Sequence, residues 1–155
     1  MTLADIIDIR AVLPNVRAAT KKQLLQDLSQ AMAKSAGVDA RAVHETLVSR
    51  EKLGSTGIGQ GMAIPHGKMA AVTRVCGLFA RLAAPVDFDA VDGQPVDLVF
   101  VLLAPDHAGA DHLKALARIS RLLRDPGMVE KLRGTDTAEG LYAILTEPAV
   151  KASAA

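Results

Sequence analysis

VDLVFVLLA, residues 96–104, constrains the fold more than any other stretch of this chain, because eight of its nine residues are apolar. A strand with no alternating polar side has to be covered on both faces, which places it inside a sheet rather than at its surface. At nine residues the run is far short of a membrane span. RVCGLFARL, residues 74–82, reads as a second, mostly buried strand, and Asp92-Gly93 with Pro95 marks a turn between the two. Helical patterns lie on either side of this pair. Thr20 and Gln23 form a capping-box pattern ahead of Leu24, Leu25, Leu28, Ala31 and Met32, which recur at helical spacing as far as Gly37. Asp39 can cap a helix over 40–52 that Gly54 ends. Further helices are expected over 112–124, from Pro126, and over 137–146 behind Thr137. The expected fold class is therefore α/β, a mixed β-sheet sandwiched between α-helices.

The chain of 155 residues suits one domain, expected over 1–147, with a loose tail over 148–155. A formal net charge of +1, with three Phe, one Tyr and no Trp, offers neither the basic surface nor the stacking platforms that nucleic acid requires. Cys76 is the single cysteine, so no internal disulfide is possible and a reducing compartment is expected; it reads as a small core residue. MTLADIIDIR has no basic stretch leading into an apolar one, so no signal peptide is read there. The expectation is a cytoplasmic protein with no direct membrane insertion.

The chemistry concentrates in REKLGSTGIGQGMAIPHGK, residues 50–68, which holds five of the twelve glycines and one histidine. GIGQG is not the dinucleotide fingerprint, since its third glycine comes one residue too soon, and no Gly-Lys-Ser/Thr closes a phosphate-binding loop. No cofactor is expected. The glycines alone describe a tight helix-to-sheet connection, or a concavity whose free N–H groups would hold an anion beside His66. On the helix before them, Ala42, Val43, Thr46 and Leu47 share a face at about 100° per residue, and Arg50 falls on that inward stripe while Glu51 and Lys52 project elsewhere. An inward arginine is either a structural partner for the helix end or a fork aimed at a phosphate.

On the later helix Leu113, Leu116, Ile119, Ser120 and Leu123 line one face together with His112. Lys114, Arg118, Arg121 and Arg124 form a separate, solvated stripe. His112 lies near the helix start, where the dipole disfavours imidazolium and favours an arriving anion. It is expected to be a neutral hydrogen-bonding partner. His107 and His112 are five apart and lack further ligands, so DHAGADH is not read as a metal site. His44 is expected to be solvated.

The segment 50–68 resembles the active-site signature of enzyme IIA domains of the fructose/mannitol type in the phosphoenolpyruvate-dependent phosphotransferase system, above all their nitrogen-regulatory branch. PVDFDAVDGQPVDLVFVLLAP and DHLKAL are similar to that family as well. The resemblance implies a phosphohistidine at His66, on Nε2, with His112 as the supporting histidine and Arg50 as the supporting arginine. It also implies an HPr-type (NPr) phosphocarrier as donor. Downstream it implies regulatory targets such as potassium-transport proteins or sensor kinases; the alternative is a sugar-permease subunit that hands phosphate to a IIB partner.

Overall fold

β6 (Val96–Ala104) is the strand around which the molecule is built, and every residue in it except Asp97 is buried. The computed structural model describes residues 2–147, so the expected tail over 148–155 lies outside the described residues. Along one edge β6 pairs antiparallel with β5 (Cys76–Val86); along the other it pairs parallel with two short strands, β3 (Met62–Ala63) and β4 (His66–Lys68). β1 (Ile7–Val16) extends the sheet beyond β5 in parallel, and β2 (Gly57–Gly59) extends it beyond β3 in antiparallel. Phe79 and Phe100 stand opposite each other across β5 and β6, with ring centroids 6.1 Å apart in an edge-on arrangement. Burying side chains of this size contributes roughly 1.5–3 kcal/mol each.

The expected helices form close to where their caps place them. Thr20 accepts the Gln23 N–H at the start of α2 (Lys21–Ala36), and Gly37, at φ 72°, ends it with its N–H on the Ala33 carbonyl. The reciprocal half of the capping box is missing, because the Gln23 amide instead donates to Asp27. Asp39 caps α3 (Ala40–Lys52) by accepting the Ala42 N–H. α4 (Ala110–Leu123) follows β6, then α5 (Pro126–Arg133) behind its Asp125 cap, and α6 (Ala138–Leu145) behind Thr137.

Two parts of the fold depart from the sequence expectation. No element is expected before Thr20, yet the structure has α1 (Leu3–Ile6) and then β1. β1 is an edge strand, paired on one side only, which is why Pro14 is tolerated within it. On α4 the buried face is His112, Ala115, Ile119 and Leu123, whereas Leu113 is 69% exposed rather than part of that face.

Successive residues of β4 show how the sheet is covered. His66 faces His112 of α4, while a side chain on Gly67 would point at Thr46 of α3. Neighbouring residues on a strand point to opposite faces, so α3 and α4 lie on opposite sides of the sheet. The mixed sheet is sandwiched between helices, as the hydrophobic run of β6 requires.

Candidate active site

Gly67 sets the distance between α3 and β4. A β-carbon at that position would come within 2.4 Å of the Thr46 methyl, so only glycine lets the helix settle here. The other glycines of the segment do different work. Gly59, Gln60 and Gly61 all have positive φ and turn the chain from β2 into β3. Asp92 accepts the Gln60 N–H at 2.8 Å, and Arg133 donates to the Gln60 carbonyl at 2.7 Å while pairing with Asp97. The hairpin tip is clamped from both sides and the Gln60 N–H is taken, so at this tip the structure favours the tight-connection reading of the glycines over an anion cradle.

Pro65 then delivers His66, which is half-buried, to the start of β4. Its Nδ1 lies 2.7 Å from the Ile64 carbonyl oxygen. A carbonyl can only accept, so Nδ1 carries the hydrogen, and in the neutral ring Nε2 keeps its lone pair. The ring meets that of His112 edge-on, with centroids 5.8 Å apart and planes at 85°. His112 is 7% exposed, and neither of its ring nitrogens has a hydrogen-bond partner among the described residues. Both ring nitrogens are therefore open to a partner from outside the described residues. Burial holds the His112 pKa below the ordinary imidazole value, and the charges of His66 and Lys68 push it further in that direction. His112 is therefore a neutral ring, as its place near a helix start suggests. No side chain caps α4, whose N-cap is Gly109, so the first turn keeps backbone donors for an anion.

Of the three residues expected to act together, the structure brings two into contact. Arg50 is half-buried and donates to the Gly54 carbonyl at 2.8 Å. It lies one helical turn beyond Thr46, on the side of α3 that faces β4. Glu51 reverses the expectation that it projects outward. Its side chain is 6% exposed, ion-paired with Lys21 at 3.0 Å, and accepts both the N–H and the hydroxyl of Thr56. The buried stripe of α3 runs Val43, Leu47, Glu51 at intervals of four, a spacing already present in the sequence. Lys68, two residues from His66 on the same side of β4, adds a charge near His112, and the period of two along a strand is the signal that places it there.

His107 is exposed and His44 is half-buried, and no group of three His, Cys, Asp or Glu able to hold a metal occurs among the described residues. Lys114, Arg118, Arg121 and Arg124 are all exposed. Cys76 is half-buried; burial raises its thiol pKa, and Arg74 partly opposes the shift. No helix among the described residues is long and apolar enough to cross a membrane.

A mixed sheet between helices that sets an imidazole of fixed tautomer against a second, buried one defines a class of histidine-centred site suited to accepting an electrophilic group. Comparison with known proteins makes the class specific. Residues 5–147 match the family described as phosphoenolpyruvate-dependent sugar phosphotransferase system, EIIA 2. A nitrogen regulatory protein of Bradyrhizobium diazoefficiens is 52% identical over 153 residues, covering 99% of this chain and all of that protein. A fructose-specific EIIA component of Haloferax volcanii is 35% identical, over 92% of this chain and 97% of its own length. Among solved structures, the nitrogen regulatory protein IIA-Ntr of Neisseria meningitidis superposes with a TM-score of 0.88 at 38% identity, covering 93% of this chain and 99% of that one. The chain belongs to the EIIA 2 family of the phosphotransferase system, a phosphotransferase component, and its kinship supports a phosphocarrier role.

Proposed function

We propose that His66 accepts a phosphoryl group on Nε2 from an HPr-type phosphocarrier and that the resulting phosphoprotein regulates partner proteins. The observation that carries this reading is the Nδ1–H bond to Ile64, which leaves Nε2 as the nucleophilic atom. In the transfer, the Nε2 lone pair attacks the phosphorus of the donor's phosphohistidine. The new N–P bond forms as the donor's own N–P bond breaks, and the donor ring keeps the released electron pair. Nδ1 retains its proton, so the positive charge that develops on the His66 ring is held against the Ile64 carbonyl.

Phosphoryl transfer of this kind asks mainly for positioning and for cations and donors around the equatorial oxygens. His112, neutral, offers one ring N–H to a phosphoryl oxygen or to the incoming ring. The uncapped first turn of α4 offers backbone donors. Arg50 would swing its fork from the Gly54 carbonyl to the phosphate, and Lys68 adds charge. Leu113, 69% exposed beside His112, gives a partner protein an apolar residue to cover. Phosphorylation then adds about −1.5 to −2 of charge at this rim, enough to change which partners dock there. In this reading the protein works in the cytoplasm, residues 1–147 form the functional unit, and the targets are regulatory ones such as potassium-transport proteins or sensor kinases.

Incubation with phosphoenolpyruvate, enzyme I and an HPr-type protein tests the chemistry. The expected result is one acid-labile, base-stable phosphate that His66→Ala abolishes; a label unchanged in that variant would refute the assignment. The second reading, a subunit that passes phosphate to a IIB partner, is supported by the Haloferax fructose-specific relative, but identity is higher to the nitrogen regulatory protein. Binding compared between phosphorylated and unphosphorylated protein separates the two.

A further inference from the structure

Glu51 sits at the start of a chain of contacts that ends on the reacting ring. Its Oε1 accepts the Thr56 N–H at 3.0 Å and pairs with the Lys21 ammonium, while its Oε2 accepts the Thr56 hydroxyl. The Thr56 carbonyl accepts the Ile64 N–H at 3.0 Å, and the Ile64 carbonyl accepts the His66 Nδ1–H at 2.7 Å. We propose that Glu51 is a positioning residue for His66, acting through Thr56 and the Ile64 backbone to keep the proton on Nδ1 and the lone pair on Nε2. The proposal rests on the reading of His66 as the acceptor.

The peptide group between Ile64 and Pro65 is the link in this chain most open to reorientation. It has no N–H of its own, so nothing within it can anchor its carbonyl. Its orientation is set from the flanks: Ile64 N–H on Thr56 at one end, and the Pro65 carbonyl accepting the Leu102 N–H at 2.9 Å at the other. The second anchor belongs to the sheet. The first hangs on Thr56, whose own place depends on the carboxylate of Glu51. Thr56 and Ile64 are buried, at 4% and 3% exposure, so neither backbone bond can be replaced readily by solvent.

Glu51 is itself held firmly. Lys21, which balances its charge, also donates to the Phe88 carbonyl at 3.1 Å and lies 4.4 Å from the centroid of the Phe88 ring. Ser55, next to Thr56, donates to that same carbonyl at 2.8 Å. The carboxylate, the ammonium and the loop before β6 thus close around residues 55–56. A buried charge pair with its remaining valences satisfied fixes geometry even where it adds little net stability. If the Ile64 carbonyl turned away, the two neutral tautomers of His66 would compete, and the fraction protonated on Nε2 would be unable to attack.

The test reads the tautomer directly. In protein with 15N-labelled histidine, the wild-type His66 ring should show hydrogen on Nδ1 and an unprotonated Nε2. Thr56→Val removes the hydroxyl at constant shape, and Glu51→Gln removes the charge at constant length. Each should shift the ring towards the Nε2–H form and slow phosphorylation about tenfold. Thr56→Ser should restore both. A role confined to general stability would lower the unfolding midpoint without changing the tautomer. The proposal is overturned if the folded Val and Gln variants keep the wild-type tautomer and rate. Should neither variant fold, hydrogen exchange in the wild type decides: an Ile64 amide protected like the β6 amides supports the relay, and one that exchanges like an open loop overturns it. A wild-type protein that takes no phosphate would refute the acceptor reading itself, which the tautomer spectrum distinguishes from failure of the positioning role.

Discussion

Replacing Gly67 with alanine tests the packing that brings His66 to its place. The new β-carbon would stand 2.4 Å from the Thr46 methyl and 3.6 Å from the Thr46 carbonyl oxygen. Carbon atoms in contact prefer about 3.5–4.0 Å, so α3 and β4 must separate by roughly 1 Å or the Thr46 side chain must leave its rotamer. The second course breaks the bond from Thr46 Oγ1 to the Ala42 carbonyl, now 2.8 Å. Overpacking of this kind costs about 1–3 kcal/mol, and each kcal/mol lowers the thermal midpoint of a chain this size by about 2–4 °C. Because His66 is the next residue, the displacement should also slow phosphoryl acceptance. Thr46→Ser removes the offending methyl and keeps the hydroxyl. Gly67→Ala with Thr46→Ser exchanges one methyl for another and should recover most of the lost stability, leaving a coupling of about 1 kcal/mol or more in a double-mutant cycle. Urea unfolding of the four proteins, with initial phosphorylation rates on each, measures both effects. Additive energies, or a Gly67→Ala protein as stable as wild type, would refute the close-contact argument.

Arg50→Lys should fold within about 0.5 kcal/mol of wild type, since the bond to Gly54 is local. It should accept phosphate at least about tenfold more slowly, because an ammonium cannot reproduce the planar fork; rapid-quench labelling reads the rate. The buried His112 takes a proton less readily in the folded protein than in the unfolded chain, whose value is 6.5. Between the lowered folded pKa and 6.5 the unfolded state binds more protons, so stability rises with pH across that window and declines as pH falls through it. His112→Gln should flatten that part of a pH series of urea midpoints. Cys76, with its thiol pushed up by burial, should alkylate more slowly at neutral pH than a free cysteine, as mass spectrometry of iodoacetamide-treated protein would show.

What the sequence discloses follows from how locally each feature is determined. β6 is legible because nothing in 96–104 except Asp97 is polar, and α2, α3 and α6 because Thr20, Asp39 and Thr137 each accept a backbone N–H at the helix start. β1 hides because Asp8, Ile9 and Arg10 in its first half are consecutively exposed and Pro14 interrupts it, so no period of two emerges. β2, β3 and β4 span two or three residues each and exist only through pairing with distant strands, which no local window senses. At the candidate site, the meeting of the two histidine rings is legible, because His112 lies on the inward face of a helix that follows the central strand. The inward stripe of Val43, Thr46, Leu47 and Arg50 is legible, whereas Glu51, expected to project elsewhere, is buried by its pairing with Lys21 and Thr56, which lie outside that helix and its pattern. The Nδ1–H bond to Ile64 was invisible, since it depends on the orientation of a carbonyl before proline.

The central claim, that Nε2 of His66 is the reacting atom and His112 its unmodified helper, is tested most directly by two-dimensional 15N NMR of histidine-labelled protein before and after phosphorylation through enzyme I and an HPr-type carrier. The account predicts that only the His66 spin system changes, with phosphorus coupling appearing at Nε2 and hydrogen retained on Nδ1. Phosphorus coupling at Nδ1, or on any nitrogen of His112, would contradict it.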